Sequence, residues 1–241
     1  MRIKLIGCDV FARLAYSEAA VSQHIVDVEL FPLLAHNDPE RLKGRVQATL
    51  DRAASQGHYD KAVLAYGLCG NAAVGLTAPL PMAIPRMHDC CAMFMGSKER
   101  YLEVFGHRLS ARWSSCGYYE RCAAAYEGRD YQTSPAFLEL AARYGMKNAE
   151  YVWQTLHPHP KEAVYIQIEG FERGDSCEQY ISQMAEIGCA VETVPGDSGW
   201  FKRLVNGPWS EKEFLELLPG EVVAPVYDME EVFRKDESSF L

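Results

Sequence analysis

The sequence predicts an α/β fold: a mainly parallel, Rossmann-like sheet flanked by helices, in one α/β unit or in two similar halves. Three observations predict it. Short apolar runs (RIKLIG, IVDVELF, KAVLAY, MAIP) alternate with segments of helical periodicity over the N-terminal part of the chain, the pattern of a parallel sheet with helices on both faces. Helix start and stop signals fall between those runs. After residue 160 the alternation resumes with AVYIQI and AVETV.

The elements follow in order. Arg2–Gly7 is short and apolar and ends in glycine, so it reads as a buried strand. Ala12–His24 places Leu14, Ala15, Ala19 and Val21 at helical spacing. Ile25–Phe31 is rich in β-branched residues and reads as the second strand. Asp38 before Pro39 is an N-cap followed by a first-turn proline, and Gly57 ends that helix. Leu42, Val46, Leu50 and Ala53 form its apolar face. Lys61–Tyr66 is the third strand, Met82–Pro85 lies in the fourth, and Asp89–Phe105 reads as helical. The stretch 107–160 is expected to be helical, a connection or a cap. Beyond it come a strand at Ala163–Ile168, a helix from about Cys177 to Ile187, a strand at Ala190–Val194 and a helix from Ser198. Ser210 and Glu213 form a capping box that predicts one more helix through Phe214–Leu218, and VVAPV reads as a last strand. The expected organisation is an N-terminal α/β half (1–106), the helical segment (107–160) and a C-terminal α/β half (161–241).

Composition narrows the function classes. The chain has 241 residues, with 24 Lys+Arg against 33 Asp+Glu, a formal net charge of −9. That balance argues against sequence-independent nucleic-acid binding and against an anionic membrane surface. No apolar run approaches the ~20 residues of a membrane span, and the N-terminus lacks a signal-peptide pattern. The expected location is the cytoplasm. There, eight cysteines point to a metal or a reactive thiol before disulfides.

Three of those cysteines stand at three strand ends. Cys8 follows the first strand, Cys69 follows the third in YGLCGN, and Cys90 follows the fourth in IPRMHDCC. In an open parallel sheet the carboxyl ends share one edge, and ligands bind in the crevice outside it. Thiolate and imidazole are zinc ligands, and thiolates also hold iron–sulfur clusters. The candidate metal ligands are therefore Cys8, Cys69, Cys90 and His88, with His88 alternatively an acid/base group. Arg86 and Asp89 would orient the site or a substrate. Gly67, Gly70 and Asn71 form a turn that lets backbone approach a bound cofactor. Asp197, after a later strand, would face a crevice in the same way. A competing reading stands beside each of these: buried cysteine often packs as a small hydrophobe, His88 could simply hold its turn, and Gly-Asp is ordinary turn chemistry. Cys91 is expected in the core, and Cys177 and Cys189 as packing. GLCGNAAVG lacks the Lys-Ser/Thr pair of a P-loop, and no GxSxG elbow is present.

YGLCGNAAVGL followed by IPRMHDCCAMFMGSKERYLEVF resembles the family of domain of unknown function 1638. Cys8, Tyr66–Asn71, Pro85–Cys90 and Gly96–Tyr101 match that family's motifs in order, and the PGD at Pro195–Asp197 and GPW at Gly207–Trp209 are also similar. One departure is RWSSCGYYERC, where the family usually shows a Tyr-rich stretch ending in Gly-Trp. The resemblance implies a setting beside corrinoid-dependent methyltransferases. The expectation is a zinc site, or alternatively an iron–sulfur cluster, in one-carbon or methyl-transfer metabolism. The chain would be an enzyme, an accessory protein, or a non-catalytic metal- or corrinoid-binding protein. Expected partners are a small-molecule substrate or a corrinoid protein, with homo-oligomerisation open.

Overall fold

In the computed structural model, which describes residues 1–68, 71–108, 111–126, 132, 135–156, 161–228 and 230–236, a mainly parallel sheet and a smaller parallel sheet meet along one shared core. The first sheet contains β1 (Arg2–Cys8), β2 (Ile25–Phe31), β3 (Lys61–Ala65) and β4 (Met82–Pro85). The helices between and after these strands are α1 (Ala12–Val21), α2 (Pro39–Gln56), α3 (Cys90–Phe94) and α4 (Lys98–Phe105). The second sheet contains β5 (Arg112–Ser115), β6 (Glu162–Gln167) and β7 (Ala190–Pro195). α5 (Cys116–Tyr126) packs on this sheet, α6 (Pro135–Tyr144) and α7 (Met146–Leu156) pack on each other, α8 (Ser176–Glu186) packs on this sheet as α5 does, and α9 (Gly199–Asn206) packs against α1, β3 and β4 of the first sheet. The chain then forms β8 (Phe214–Leu217), β9 (Val223–Pro225) and β10 (Phe233–Lys235).

The first sheet runs β2-β1-β3-β4-β8. β1 pairs in parallel with both β2 and β3, and β3 pairs in parallel with β4. β1 can occupy the middle because Ile3, Leu5 and Ile6 are all fully buried, apolar toward both faces. Gly7 is required where β1 and β3 close up: a Cβ there would stand 2.7 Å from the Ala65 Cβ. α2 is built as its sequence predicts. Asp38 Oδ1 accepts the Arg41 amide at 3.1 Å, Gly57 ends the helix at φ +67°, and Leu42, Val46, Leu50 and Ala53 are buried.

Two expectations need correction. The capping box at Ser210–Glu213 opens no helix; Phe214–Leu217 is β8, antiparallel to β4 at the edge of the first sheet. Phe214, Leu215 and Leu217 are buried there while Glu216 turns outward. The Glu213 carboxylate, which a capping box would direct at Ser210, instead takes the Arg203 Nε at 2.8 Å. Pro208 and the Pro219-Gly220 pair leave room for only a short element between them. The segment 107–160 also holds more than helices. β5 lies within it and pairs in parallel with β6 from Arg112↔Ala163 to Ser115↔Ile166. Its signal is masked because the buried positions are Ser114 and Ser115. In addition, Asp89–Phe105 is two helices, α3 capped by Asp89 and α4 capped by Ser97.

β6 joins the two sheets. Val164 and Ile166 face the core shared with the first sheet, while Ala163 and Tyr165 face a smaller cluster with Tyr180, Met184 and Cys189. No helix among the described residues is long and apolar enough to cross a membrane.

Candidate functional site

The four parallel strands of the first sheet end on one edge, and a cleft opens there. Cys8 closes β1, Leu33 and His36 lie on the 3₁₀ turn after β2, Tyr66 follows β3, and Cys90 is the first residue of α3 beyond β4; all of them line the cleft with Phe11. Its empty volume, mouth included, is about 320 Å³. Cys8 is 7% exposed and Tyr66 4%; Cys90 is half-buried and His36 is exposed at the rim. Cys8 and Cys90 therefore both line this cleft. Cys69 and Gly70 lie outside the described residues. Among the described residues, no three His, Cys, Asp or Glu side chains are grouped closely enough to hold a metal ion.

The turns after β3 and β4 are laced by backbone. The Leu68 amide donates to the Met87 carbonyl at 3.1 Å. Gly67 has no room for a side chain, because a Cβ would stand 2.6 Å from that same oxygen. Gly67 thus serves the close approach of two turns. Asn71 is exposed and left-handed at φ +72°, a conformation asparagine tolerates better than most residues.

The turn Arg86–Asp89 turns its side chains to backbone rather than into the cleft. Arg86 Nε donates to the Glu211 carbonyl at 2.8 Å, and its Nη1 donates to the Glu231 carbonyl at 2.8 Å and to that of Phe233. Burial lowers the Arg86 pKa, against the pull of Glu231 and Glu211. His88 Nε2 meets the Asp228 carbonyl at 2.7 Å, which requires a proton on that nitrogen. Asp89 caps α3, with its Oδ1 3.4 Å from the Ala92 amide. Burial pushes the Asp89 carboxyl up, and the amides of Ala92 and Cys91 pull it part of the way back. Cys91 is 1% exposed, in the core as expected, and burial pushes its thiol up. Asp197 is exposed and away from the cleft; its amide donates to the Phe94 carbonyl at 3.0 Å and its carboxylate takes the Gly199 amide at the start of α9.

Three groups near the cysteines escape a reading centred on thiols. His36 and Tyr66 line the cleft itself. Asp9, next to Cys8, pairs with Arg121 of α5 at 3.9 Å, and its buried Oδ1 has no hydrogen-bond partner among the described residues. Burial raises the Asp9 pKa, opposed first by Arg121. The available signal was positional: each follows the carboxyl end of a strand, as the cysteines do. A second cleft opens at the ends of β5 and β6, lined by Arg13, Ser115, Cys116 and Glu172 among others. Its polar groups are engaged within the protein: Arg13 with Glu120 at 2.8 Å, Glu172 with Tyr165 at 2.9 Å, and the Cys116 thiol with Ser176 at 3.9 Å.

Residues 30–205 match the family described as a protein of unknown function, DUF1638. The chain belongs to the DUF1638 family. The matched span carries the Tyr66–Asn71 and Pro85–Cys90 turns, so the cleft of this DUF1638 protein is built largely from the family's own segment, with Cys8 and Phe11 contributed from ahead of it. No curated protein and no solved structure matches the chain.

Proposed function

We propose that the carboxyl-edge cleft of this DUF1638 protein is a thiolate metal site, with Cys8, Cys69 and Cys90 as ligands and zinc as the metal. The observation that supports this reading is that Cys8 and Cys90, far apart in sequence, line one cleft. Three thiolates with one open position would make a catalytic arrangement, and zinc-bound thiolate chemistry suits the handling of methyl groups. The protein would act in the cytoplasm in one-carbon or methyl-transfer metabolism, as an enzyme or as an accessory to a corrinoid-dependent methyltransferase. Cys91, Cys116, Cys122, Cys177 and Cys189 carry free thiols, which suits a reducing compartment. Arg86, His88 and Asp89 would support the cleft by holding the turn that presents Cys90.

Metal analysis and an absorption spectrum of purified protein test the proposal. The expected result is about one zinc per chain, no visible absorption, and loss of most of the metal in each of Cys8→Ser, Cys69→Ser and Cys90→Ser. Visible sulfur-to-iron absorption would replace zinc with an iron–sulfur cluster on the same thiols. Full metal content in all three variants would overturn the shared site.

A further inference from the structure

Strand β2 leaves one side of its ladder open. It stands first in the sheet order, pairs with β1 along all seven residues and has no strand on its other side among the described residues. The other strands at sheet edges are short or end in proline, the usual guards of an open edge: β5 and β8 have four residues, β9 and β10 three, and β7 ends at Pro195. β2 has seven residues, no proline and no lysine. Its two carboxylates do not guard it, since each is clamped by cations of its own chain: Asp27 by Arg2 at 3.0 Å, and Glu29 by Lys4 at 2.8 Å and by Arg52 at 2.7 Å. The surface beside this edge is uncharged. α1 packs on β2 and on α9, and α9 packs on β3 and β4, so α1 is the outermost helix over the open edge. The exposed residues of α1 are Tyr16, Ser17, Ala20 and Val21. Val21 is 74% exposed, and Ile25, the first residue of β2, is 64% exposed.

We infer that β2 is the interface of a homodimer: two copies pair antiparallel along β2 about a twofold axis through Val28, joining their five-stranded sheets into one. An open ladder is completed by another strand edge, and an edge that pairs with its own copy in the antiparallel sense closes as a dimer. The sequence IVDVELF complements itself in that register. Val28 meets its own copy and Val26 meets Leu30, so the face packed on the core becomes an unbroken row of aliphatic pairs. On the opposite face Ile25 meets Phe31, which covers the exposed Ile25, and Asp27 meets Glu29. Arg52, on the surface beside Glu29, offsets that like-charge pair by facing the carboxylate of Asp27 across the axis. A slip of two residues either way puts Asp27 or Glu29 on its own copy and leaves two residues of the strand unpaired.

Charge singles out the same patch. The chain carries a formal net charge of −9, so two copies repel over most of their surface. Around β2 the charges balance: Arg2, Lys4 and Arg52 stand against Asp27, Glu29 and Asp60, whose Oδ2 accepts the Arg2 amide at 2.6 Å. Two copies can therefore approach here without net repulsion. The contact borders the cleft, because Pro32, Leu33 and His36 follow β2 directly, but it does not depend on a metal there.

The test is the mass of the full-length protein in solution, by sedimentation velocity across a micromolar dilution series. The wild type should sediment as a dimer. Ile25→Lys and Val28→Lys should each shift it to monomer, with association weakened by about 30-fold or more and an unchanged circular dichroism spectrum. Ile25 is exposed, so its replacement leaves the fold intact whatever happens at Val28. Tyr151→Lys changes an apolar residue on α7 that is 73% exposed, and should leave the dimer in place. Hydrogen exchange reads the ladder itself: the outward amides of β2 should be protected in the wild type and exchange faster in Ile25→Lys. A monomeric wild type, a dimer that both β2 variants leave in place, or one that Tyr151→Lys breaks in their stead overturns the inference. Metal content enters none of these readings, so the cleft proposal stands or falls separately.

Discussion

Glu18 shows how a single side chain sets a pH dependence. It is 7% exposed on α1, and its Oε2 has no hydrogen-bond partner among the described residues. Burial raises its pKa above the ordinary 4.5, and Lys202 only partly opposes this. A carboxyl whose folded-state pKa is raised takes up a proton on folding. Its contribution to stability is therefore fully present below the unfolded-state value and is lost as pH rises through the folded-state value. Glu18→Gln removes the titration while keeping the shape. As pH rises above the ordinary carboxyl range the wild type should lose stability relative to Glu18→Gln, which at neutral pH should be the more stable by about 1 kcal/mol. Urea denaturation at several pH values checks this, and parallel curves for the two proteins would show that Glu18 ionises without penalty. The cysteines illustrate what was readable at this scale. A thiol at a strand end is visible in the sequence because strand and turn chemistry are local. Which way His88 points is not, because its partner is a backbone carbonyl at Asp228, 140 residues away.

At the scale of elements, the strongest motif in the chain turns out to be a fastening. Arg86 serves carbonyls of Glu211, Glu231 and Phe233, His88 serves Asp228, and Lys98 Nζ serves Glu230 at 2.7 Å. Together they hold the segment between β9 and β10 against the turn that leads into α3 and against the start of α4, and Arg86 ties the stretch before β8 to the same turn. Arg86→Met should cost about 2 kcal/mol, because it leaves carbonyls without their charged donor. Arg86→Lys should recover little of it, since one ammonium cannot reproduce the planar fork. The loss should appear locally, as faster hydrogen exchange at the Val226 and Phe233 amides, which donate to Val232 and Glu231. Unchanged exchange there would mean that the antiparallel pair of β9 and β10 holds itself. Elements with local determinants were legible in the sequence: α2 has its cap, its proline and its terminal glycine. β8 was not, because FLEL after a Ser-x-x-Glu looks helical until β4 is available to pair with it. β5 was not, because two of its four residues are buried serines.

For the whole molecule, the question is whether two sheets make two folding units. The sequence divides into α/β halves, and each half has parallel strands, but the chain does not respect the division. β8 comes after every strand of the second sheet and returns to the first. The interface is apolar and close. Phe94 of α3 packs on Phe11 at 5.1 Å and on Trp113 of β5 at 5.9 Å between ring centroids. A Cβ on Gly196 would meet Ile166 at 2.6 Å and the Phe94 carbonyl at 2.7 Å. Opening this seam exposes Val164, Ile166 and Val194 together with residues of the first sheet. Neither sheet then keeps a closed core, and the transfer of that apolar surface to water opposes separate unfolding. Hydrogen exchange along a denaturant series should therefore give β3 and β6 amides the same opening free energy and the same denaturant slope, with one coincident transition by circular dichroism. A smaller slope for β6 than for β3 would mean that the second sheet unfolds by itself. In that case the shared core would be a contact between two domains, and the cleft at the first sheet's edge would outlast the loss of the second.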